Sequence, residues 1–318
     1  MSFSGFLRGA ALTLGIALVG GCGGGDTVEP FVPTGMVAFG DDVNVIEATG
    51  FRYTVNGAQA DGTLACDLNR VWTQIVATDF GMKFENDTCL DAGEVPKGRI
   101  LATPGAKVAD VVTQVDTYLA SRASGTVDLG LMWAGISDIV ELYGQYPAQT
   151  EAALLMQASA RGKLLAEQAN RVGLSGSPVI VVTVPDMGLT PLARAGGAEA
   201  ARVLSALSRD FNAALHVNLV QDGRVIGIVF GEAEVQNAVE FPGSFGYLNV
   251  IDPLCLTTAP LPTCTTATLT VQDNPATLDN EALTAASNHL WADSVLPGPS
   301  FHLRIAQLAL VRARNNPF

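Results

Sequence analysis

The chain has 318 residues, of which 48% are hydrophobic and 15% are charged, and its formal net charge is −13. This composition is too apolar for a disordered chain. An acidic surface without a basic cluster repels phosphate backbones, so nucleic acid is not expected as a partner. We expect one well-buried globular domain.

The first segment, residues 1–21, combines Arg8 with an apolar stretch and a small-residue end. The stretch is shorter than the roughly 20 residues that cross a bilayer, so we predict a bacterial export signal rather than a membrane span. Its end, Val-Gly-Gly before Cys22, resembles a lipobox, which predicts that Cys22 carries lipid and joins the protein to a membrane. The alternative is ordinary cleavage near Gly21 that leaves Cys22 as a thiol.

The next segment, residues 22–34, begins Gly-rich and is predicted to be a flexible tether. Gly23 directly after the cysteine resembles lipoproteins that are passed on to the outer membrane. We therefore expect an outer-membrane anchor, with the domain on the periplasmic or the cell-surface side. Without Arg8 the mature chain has 17 basic and 31 acidic residues, a net charge of about −14.

The rest of the chain alternates short apolar runs with longer segments of helical period, a pattern typical of a parallel sheet covered on both faces. A hairpin is predicted over 51–61, because Tyr53 and Val55 alternate before Asn56-Gly57. No second domain is indicated, so residues 35–318 are expected to fold as one. The predicted strands are 35–39, 100–103, 127–133, 178–183 and 225–230, and the predicted helices are 68–80, 107–120, 150–171, 198–215 and 303–314.

The cysteines other than Cys22 are four, an even number for an oxidising compartment. Four cysteines allow three pairings, and the pairs that are close in sequence, Cys66 with Cys89 and Cys255 with Cys264, are the expected ones. Neither spacing indicates a zinc site. No phosphate loop or nucleotide fingerprint occurs, so the sequence predicts neither a metal nor a cofactor.

Four short runs carry a resemblance to a known family. Residues 37–42 read Val-Ala-Phe-Gly-Asp-Asp, 101–106 read Leu-Ala-Thr-Pro-Gly-Ala, 133–138 read Trp-Ala-Gly-Ile-Ser-Asp and 290–297 read Leu-Trp-Ala-Asp-Ser-Val-Leu-Pro. In this order they resemble the blocks of the SGNH/GDSL ester hydrolases. The resemblance implies a flavodoxin-like three-layer α/β/α sandwich around a parallel sheet, with its site at the carboxyl ends of the strands.

The same resemblance assigns positions to the chemistry. It implies that Asp42 stands at the nucleophilic serine, Gly105 and Ser137 at the oxyanion positions, Asp293 at the triad acid and Leu296 at the base. Ser137 replaces an asparagine, and a leucine cannot move a proton. In a serine protease, loss of the serine or the histidine alone lowers turnover about 10⁶-fold, so the ordinary Ser-His-Asp route is not expected.

Two hypotheses follow. The first is a pseudoenzyme that binds an ester, lipid or glycan or serves as an envelope scaffold, with Asp42 capping the next helix or binding a ligand or cation with Asp41. The second is an ester hydrolase with atypical residues, in which Asp42 is the nucleophile and His302 is the alternative base. A packed, structural His302 is the other interpretation of that residue. The sequence does not indicate an oligomeric state.

Overall fold

The computed structural model describes residues 31–59, 61–269 and 281–315 and contains a central sheet of five parallel strands. The strand order is β2-β1-β3-β4-β5, which is the order of flavodoxin-like folds. The predicted α/β class with a central parallel sheet is confirmed. The strands are β1 (Gly35–Gly40), β2 (Gly98–Ile100), β3 (Asp128–Trp133), β4 (Val179–Val182) and β5 (Ile226–Val229).

Helices cover both faces of this sheet. On one face α2 packs on β1, and α4 packs on β3, β4 and β5, with α6 behind α4. On the other face α9 packs on β4 and β5, with α1 beside it. The helices are α1 (Trp72–Asp79), α2 (Val108–Ser121), α3 (Ile136–Tyr143), α4 (Glu151–Leu174), α5 (Pro191–Ala195), α6 (Gly197–Asn218), α7 (Gly231–Glu240), α8 (Glu281–Asn288) and α9 (Pro299–Asn315).

The core lies between these layers. Every residue of β1 and of β4 is buried, as expected for strands that helices cover on both faces. A two-stranded parallel sheet, β6 (Asn249–Pro253) with β7 (His289–Trp291), lies outside the main sheet. The chain leaves β7 directly for the loop that carries Asp293.

Both predicted disulfides are confirmed. Cys66 is bonded to Cys89, and Cys255 is bonded to Cys264. The second disulfide belongs to a small satellite core with Val55.

The predicted hairpin at Asn56-Gly57 is wrong. Asn56 pairs in parallel with Thr265, and its buried side-chain amide donates to the Pro262 and Cys264 carbonyls. Gly57 does not have the positive φ that a type I′ turn needs. The polar residue that signals a turn is instead used to attach this segment to the chain beside the second disulfide.

Other element boundaries differ for local reasons. Helix α1 begins at Trp72 rather than 68, because Asn69 has a φ of 52°, outside the helical region. Helix α9 begins four residues before the predicted start of 303, with Pro299 at its first position, where proline has no missing hydrogen bond. Strand β2 ends at Ile100, so residues 101–106 form a loop after the strand.

The predicted signal (1–21), the lipidation of Cys22 and most of the tether lie outside the described residues. Within the part of the chain that the structure describes, no helix has the length and apolarity of a membrane span. No group of three or more His, Cys, Asp or Glu side chains among those residues is arranged to hold a metal.

Candidate functional site: the Asp42 pocket

The site begins where β1 ends. Gly40 has a φ of 128°, and a Cβ there would lie 1.9 Å from the Trp133 carbonyl oxygen, so the close approach of β1 and β3 requires glycine. The chain then turns, and Asp42 is the first residue of a 3₁₀ turn, Asp42–Asn44. This turn presents the Asp42 side chain at the carboxyl end of the sheet, where open parallel sheets bind ligands.

Asn44 holds this turn in place. Its side-chain amide donates to the Phe39 carbonyl (3.0 Å) and to the Trp133 carbonyl (2.6 Å), and its Oδ1 accepts the Trp72 indole N–H (2.7 Å). Asn44 is completely buried. One side chain therefore joins the ends of β1 and β3 to α1, and a rigid frame of this kind can fix the position of Asp42.

The Asp42 carboxylate is bound by both predicted oxyanion residues. Its Oδ2 accepts the Gly105 backbone N–H at 3.0 Å and lies 3.5 Å from the Ser137 hydroxyl. The N-cap of the turn is Asp41, whose side chain makes no capping hydrogen bond, so Asp42 does not hold the position that the capping alternative gives it. The donors that would face a developing oxyanion thus face a carboxylate that belongs to the protein.

All five residues of the predicted site line one pocket of about 440 Å³, here called the Asp42 pocket. The five are Asp42, Gly105, Ser137, Asp293 and Leu296. They come from the loops after β1, β2 and β7 and from the first turn of α3, so residues far apart in sequence meet at one place. The pocket is completed by Tyr53, Lys107, Ile136, Val140, Glu141, Leu261 and Val295.

Asp293 is fixed by its own loop. Its Oδ1 accepts the backbone N–H groups of Val295 (2.8 Å) and Leu296 (2.6 Å). Burial raises the pKa of Asp293, these two N–H groups lower it, and the charge of Asp42 raises it again. Burial likewise raises the pKa of Asp42, against the Gly105 N–H and the Ser137 hydroxyl. The pocket therefore holds two buried carboxyl groups, and the charge of Asp42 disfavours the ionisation of Asp293.

Asp41 lies behind the pocket and is completely buried. Its Oδ2 accepts the Gly135 N–H at 3.2 Å, while its Oδ1 has no hydrogen-bond partner. Burial, followed by the charges of Asp42 and Asp138, raises the pKa of Asp41 well above its usual range. Asp138 is satisfied by the Val108 N–H (3.0 Å) and by Arg161 (3.0 Å), so it connects α3 to α2 and α4.

His302 does not lie in the Asp42 pocket. It is completely buried, its Nδ1 faces the Trp72 backbone N–H at 3.3 Å, and its ring lies 6.0 Å from that of Trp133. Burial, assisted by the charge of Arg52, lowers the pKa of His302 to about 3. His302 is therefore a neutral core residue. Its position does not support the alternative in which it acts as a base for Asp42.

Sequence reasoning missed several residues of the pocket. Tyr53 and Leu261 come from segments outside the four motif runs, and Lys107 and Glu141 form an ion pair (3.4 Å) at the wall. The sequence carries no signal that brings these four together. Asn44 could have been found, because it is a polar residue inside an apolar run that follows a strand.

Comparisons with known proteins find a similar solved structure but no matching family model or curated protein. No protein-family model matches the chain, and no curated protein matches it. Among solved structures, the crystal structure of a member of the lipolytic protein G-D-S-L family from Veillonella parvula DSM 2008 is similar. Its TM-score is 0.41 and its identity 10%, and the alignment covers 86% of this chain and 95% of that chain.

Proposed function

We propose that this protein is a GDSL-hydrolase-like domain that binds a ligand in the Asp42 pocket without hydrolysing it. The observation that supports this is the pair of contacts from Gly105 and Ser137 to the Asp42 carboxylate. Acyl transfer requires such donors to stabilise negative charge that appears on the substrate. Here a negative charge already occupies them, and a substrate oxyanion in the same place would be repelled.

The wall of the pocket supports the same conclusion. None of its described lining residues is a histidine, and Leu296 stands at the position of the base. Lys107 forms an ion pair with Glu141, and a lysine ammonium has no acceptor for a proton. A general base must lie within hydrogen-bond reach of the group that it deprotonates, and His302 lies in the core instead. This location argues against the atypical hydrolase that would use Asp42 with His302.

The charge of the pocket indicates the class of ligand. Asp42, Asp293 and Glu141 outnumber Lys107, while the remaining wall is largely apolar, with Ile136 on one side. Such a pocket disfavours anionic ligands. We infer that it takes a neutral molecule with an apolar part, as an ester, a lipid or a glycan derivative has.

We further propose that the domain is an exported lipoprotein attached through Cys22 to the outer membrane. The two disulfides support export, because disulfides persist in oxidising compartments. Mass spectrometry of the N-terminal peptide from native membranes should find a lipid-modified Cys22. An unmodified cysteine, or an N-terminus elsewhere, would contradict the attachment.

An activity and binding experiment tests the central proposal. The mature chain should not hydrolyse p-nitrophenyl acetate or butyrate above the buffer rate, and Asp42→Ala should behave like the wild type. Non-hydrolysed p-nitrophenyl butyrate should still shift the methyl NMR signals of Ile136 and Leu296, while the signal of Leu248, which is exposed and outside the pocket, stays in place.

Two results would count against this proposal. A wild type that hydrolyses the esters while Asp42→Ala does not would favour an aspartate nucleophile. Unchanged methyl signals for every neutral ester tried would remove the ligand-binding part and leave a scaffold role.

A further inference from the structure

A second and larger cavity lies outside the Asp42 pocket. It has a volume of about 890 Å³ and lies beside α1, α9 and the 3₁₀ turn Pro242–Phe245. We call it the Arg70 groove and define it by Asn69, Arg70, Ile75, Phe245, Leu303 and Arg304. No described residue lines both cavities. Any ligand of the groove is therefore independent of the function proposed for the Asp42 pocket.

Arg70 makes one part of the groove basic. Arg70 makes no ion pair with any described residue, and its guanidinium has long contacts to the Cys66 carbonyl (3.4 Å), the Thr78 hydroxyl (3.2 Å) and Cys89 Sγ (3.6 Å). Asp67 is the acidic residue among the described lining residues, and it is exposed. Arg70 thus has neutral hydrogen-bond partners but no ion pair with a described residue, in a chain of net charge −13.

The second arginine of the groove is already neutralised. Arg304 Nε lies 2.7 Å from the Glu234 carboxylate, and its guanidinium lies 5.6 Å from the centre of the Phe245 ring. Among the described lining residues, Arg70 is therefore the one positively charged side chain without an ion pair. A single unpaired guanidinium fits a monoanion, and its planar fork matches a carboxylate.

One hydrogen-bond donor beside Arg70 has no acceptor among the described residues. The Nδ2 of Asn69 is buried and has no hydrogen-bond partner. Arg52, buried nearby, donates to the neutral oxygens of Asn56, Gln74 and Ala65. Burial lowers the pKa of Arg52 to about 10; the charge of Asp87 opposes this shift, and the charge of Arg70 adds to it. A buried donor without an acceptor, here Asn69 Nδ2, carries a desolvation cost that an acceptor-bearing ligand would offset.

Beyond Arg70 the groove is apolar. Ile75 and Phe245 form its sides, and Leu303 is 47% exposed although it is a large hydrophobic residue. We propose that the Arg70 groove binds a single-chain carboxylate amphiphile, with the carboxylate at Arg70 and the alkyl chain along Ile75, Phe245 and Leu303. Such a ligand supplies the missing acceptor and covers the apolar wall at the same time.

Isothermal titration of the mature chain with decanoate and with decanol tests this proposal. Decanoate should bind saturably with a stoichiometry of one, and decanol, which has the same chain without the charge, should bind at least about tenfold more weakly. Arg70→Gln should weaken decanoate binding by a similar factor. Arg224→Gln, an exposed arginine outside the groove, is the matched control and should have no effect.

A second variant guards against loss of fold. Leu303→Asp places a negative charge on an exposed position of the wall, so it should fold, as circular dichroism can verify, and yet weaken decanoate binding. Equal affinities for decanoate and decanol, non-saturable uptake, or equal effects of Arg70→Gln and Arg224→Gln would overturn the proposal. An Asp42→Ser variant should bind decanoate like the wild type, so failure here is distinct from failure of the pocket.

Discussion

The Asp42 pocket and the Arg70 groove are opposite in charge and in origin. The pocket contains carboxylates from loops that follow strands, Asp42 and Asp293, while the groove contains one guanidinium from the segment before α1, Arg70, and one from α9 itself, Arg304. The pocket has filled its own donors with Asp42, whereas the groove leaves the Asn69 donor unfilled. The two sites thus differ in whether the protein itself supplies an acceptor for the donors that they present.

The largest expected effect is a gain of ester hydrolysis when catalytic residues are introduced into the Asp42 pocket. Asp42→Ser with Leu296→His should rebuild a Ser-His-Asp triad with Asp293, because these side chains line one pocket. Either change alone should do almost nothing, since the residues act as a unit. Adding Ser137→Asn should raise turnover further, by about 10²–10³. The rate of p-nitrophenyl butyrate hydrolysis is measured for each variant of the series.

The control for this series is Asp293→Ala in the triple variant, which should abolish the activity gained. Decanoate binding in the Arg70 groove should be unchanged throughout. A folded triple variant that stays inert on several acyl chain lengths would mean that the pocket no longer accepts esters, and the ligand class proposed for it would have to be abandoned.

A smaller effect, on stability, separates the two regions through their disulfides. Replacing Cys66 and Cys89 by alanine opens a loop with a sequence separation of 23 and should lower the free energy of unfolding by about 3 kcal/mol. It should also weaken decanoate binding, because Arg70 Nη2 lies 3.6 Å from Cys89 Sγ. Urea unfolding and titration calorimetry measure the two changes.

The matched pair is Cys255 with Cys264, whose separation is 9, and its removal should cost somewhat less stability. This pair does not line the groove, so decanoate affinity should stay the same. If both double variants lose decanoate affinity equally, the loss comes from general destabilisation of the protein. It does not then come from removal of the disulfide that contacts Arg70.

The smallest effect concerns the acidity of the pocket. Because the folded pKa of Asp42 is raised above its usual 3.8, the folded state holds a proton that the unfolded state has lost, and stability falls as the pH rises from 3.8 through the folded pKa. Asp42→Asn should remove this loss. It should also lower the pKa of Asp293, which the Asp42 charge raises.

NMR titration of the Asp293 carboxyl carbon in the wild type and in Asp42→Asn measures the change in its pKa. Urea unfolding at several pH values measures the change in stability. Lys107→Gln is a useful comparison, because Lys107 lines the same pocket but does not contribute to the pKa of either carboxyl group. An Asp293 pKa that is the same with and without the Asp42 charge would show that the two groups are not coupled.

The sequence was sufficient for the parts of the fold that depend on local pattern and on motif order. The five central strands and the long helices follow from apolar periodicity, and the five pocket residues were found because each lies in a motif run after a strand or at the start of α3. Both disulfide pairs followed from closeness in sequence.

The parts that could not be predicted depend on contacts between distant residues. Asn56 has the sequence context of a hairpin turn, yet its side chain bonds to the Pro262 carbonyl more than 200 residues away. The short helix α3 carries Ser137 but is too brief for a periodic signal. The Arg70 groove unites Arg70 and Phe245 only in three dimensions, so no spacing in the sequence reveals it.

Gly40 has a consequence for how this protein can vary. Since any Cβ at position 40 would collide with the Trp133 carbonyl, that position accepts no other residue without moving β1 from β3. Asp42 and Ser137 line the pocket without such a backbone collision, whereas Leu296 lines it but is 6% exposed and also belongs to the hydrophobic core. Substitutions at positions 42 and 137 can therefore change the chemistry of the pocket while the backbones of β1 and β3 keep their spacing, and a substitution at position 296 must also preserve core packing.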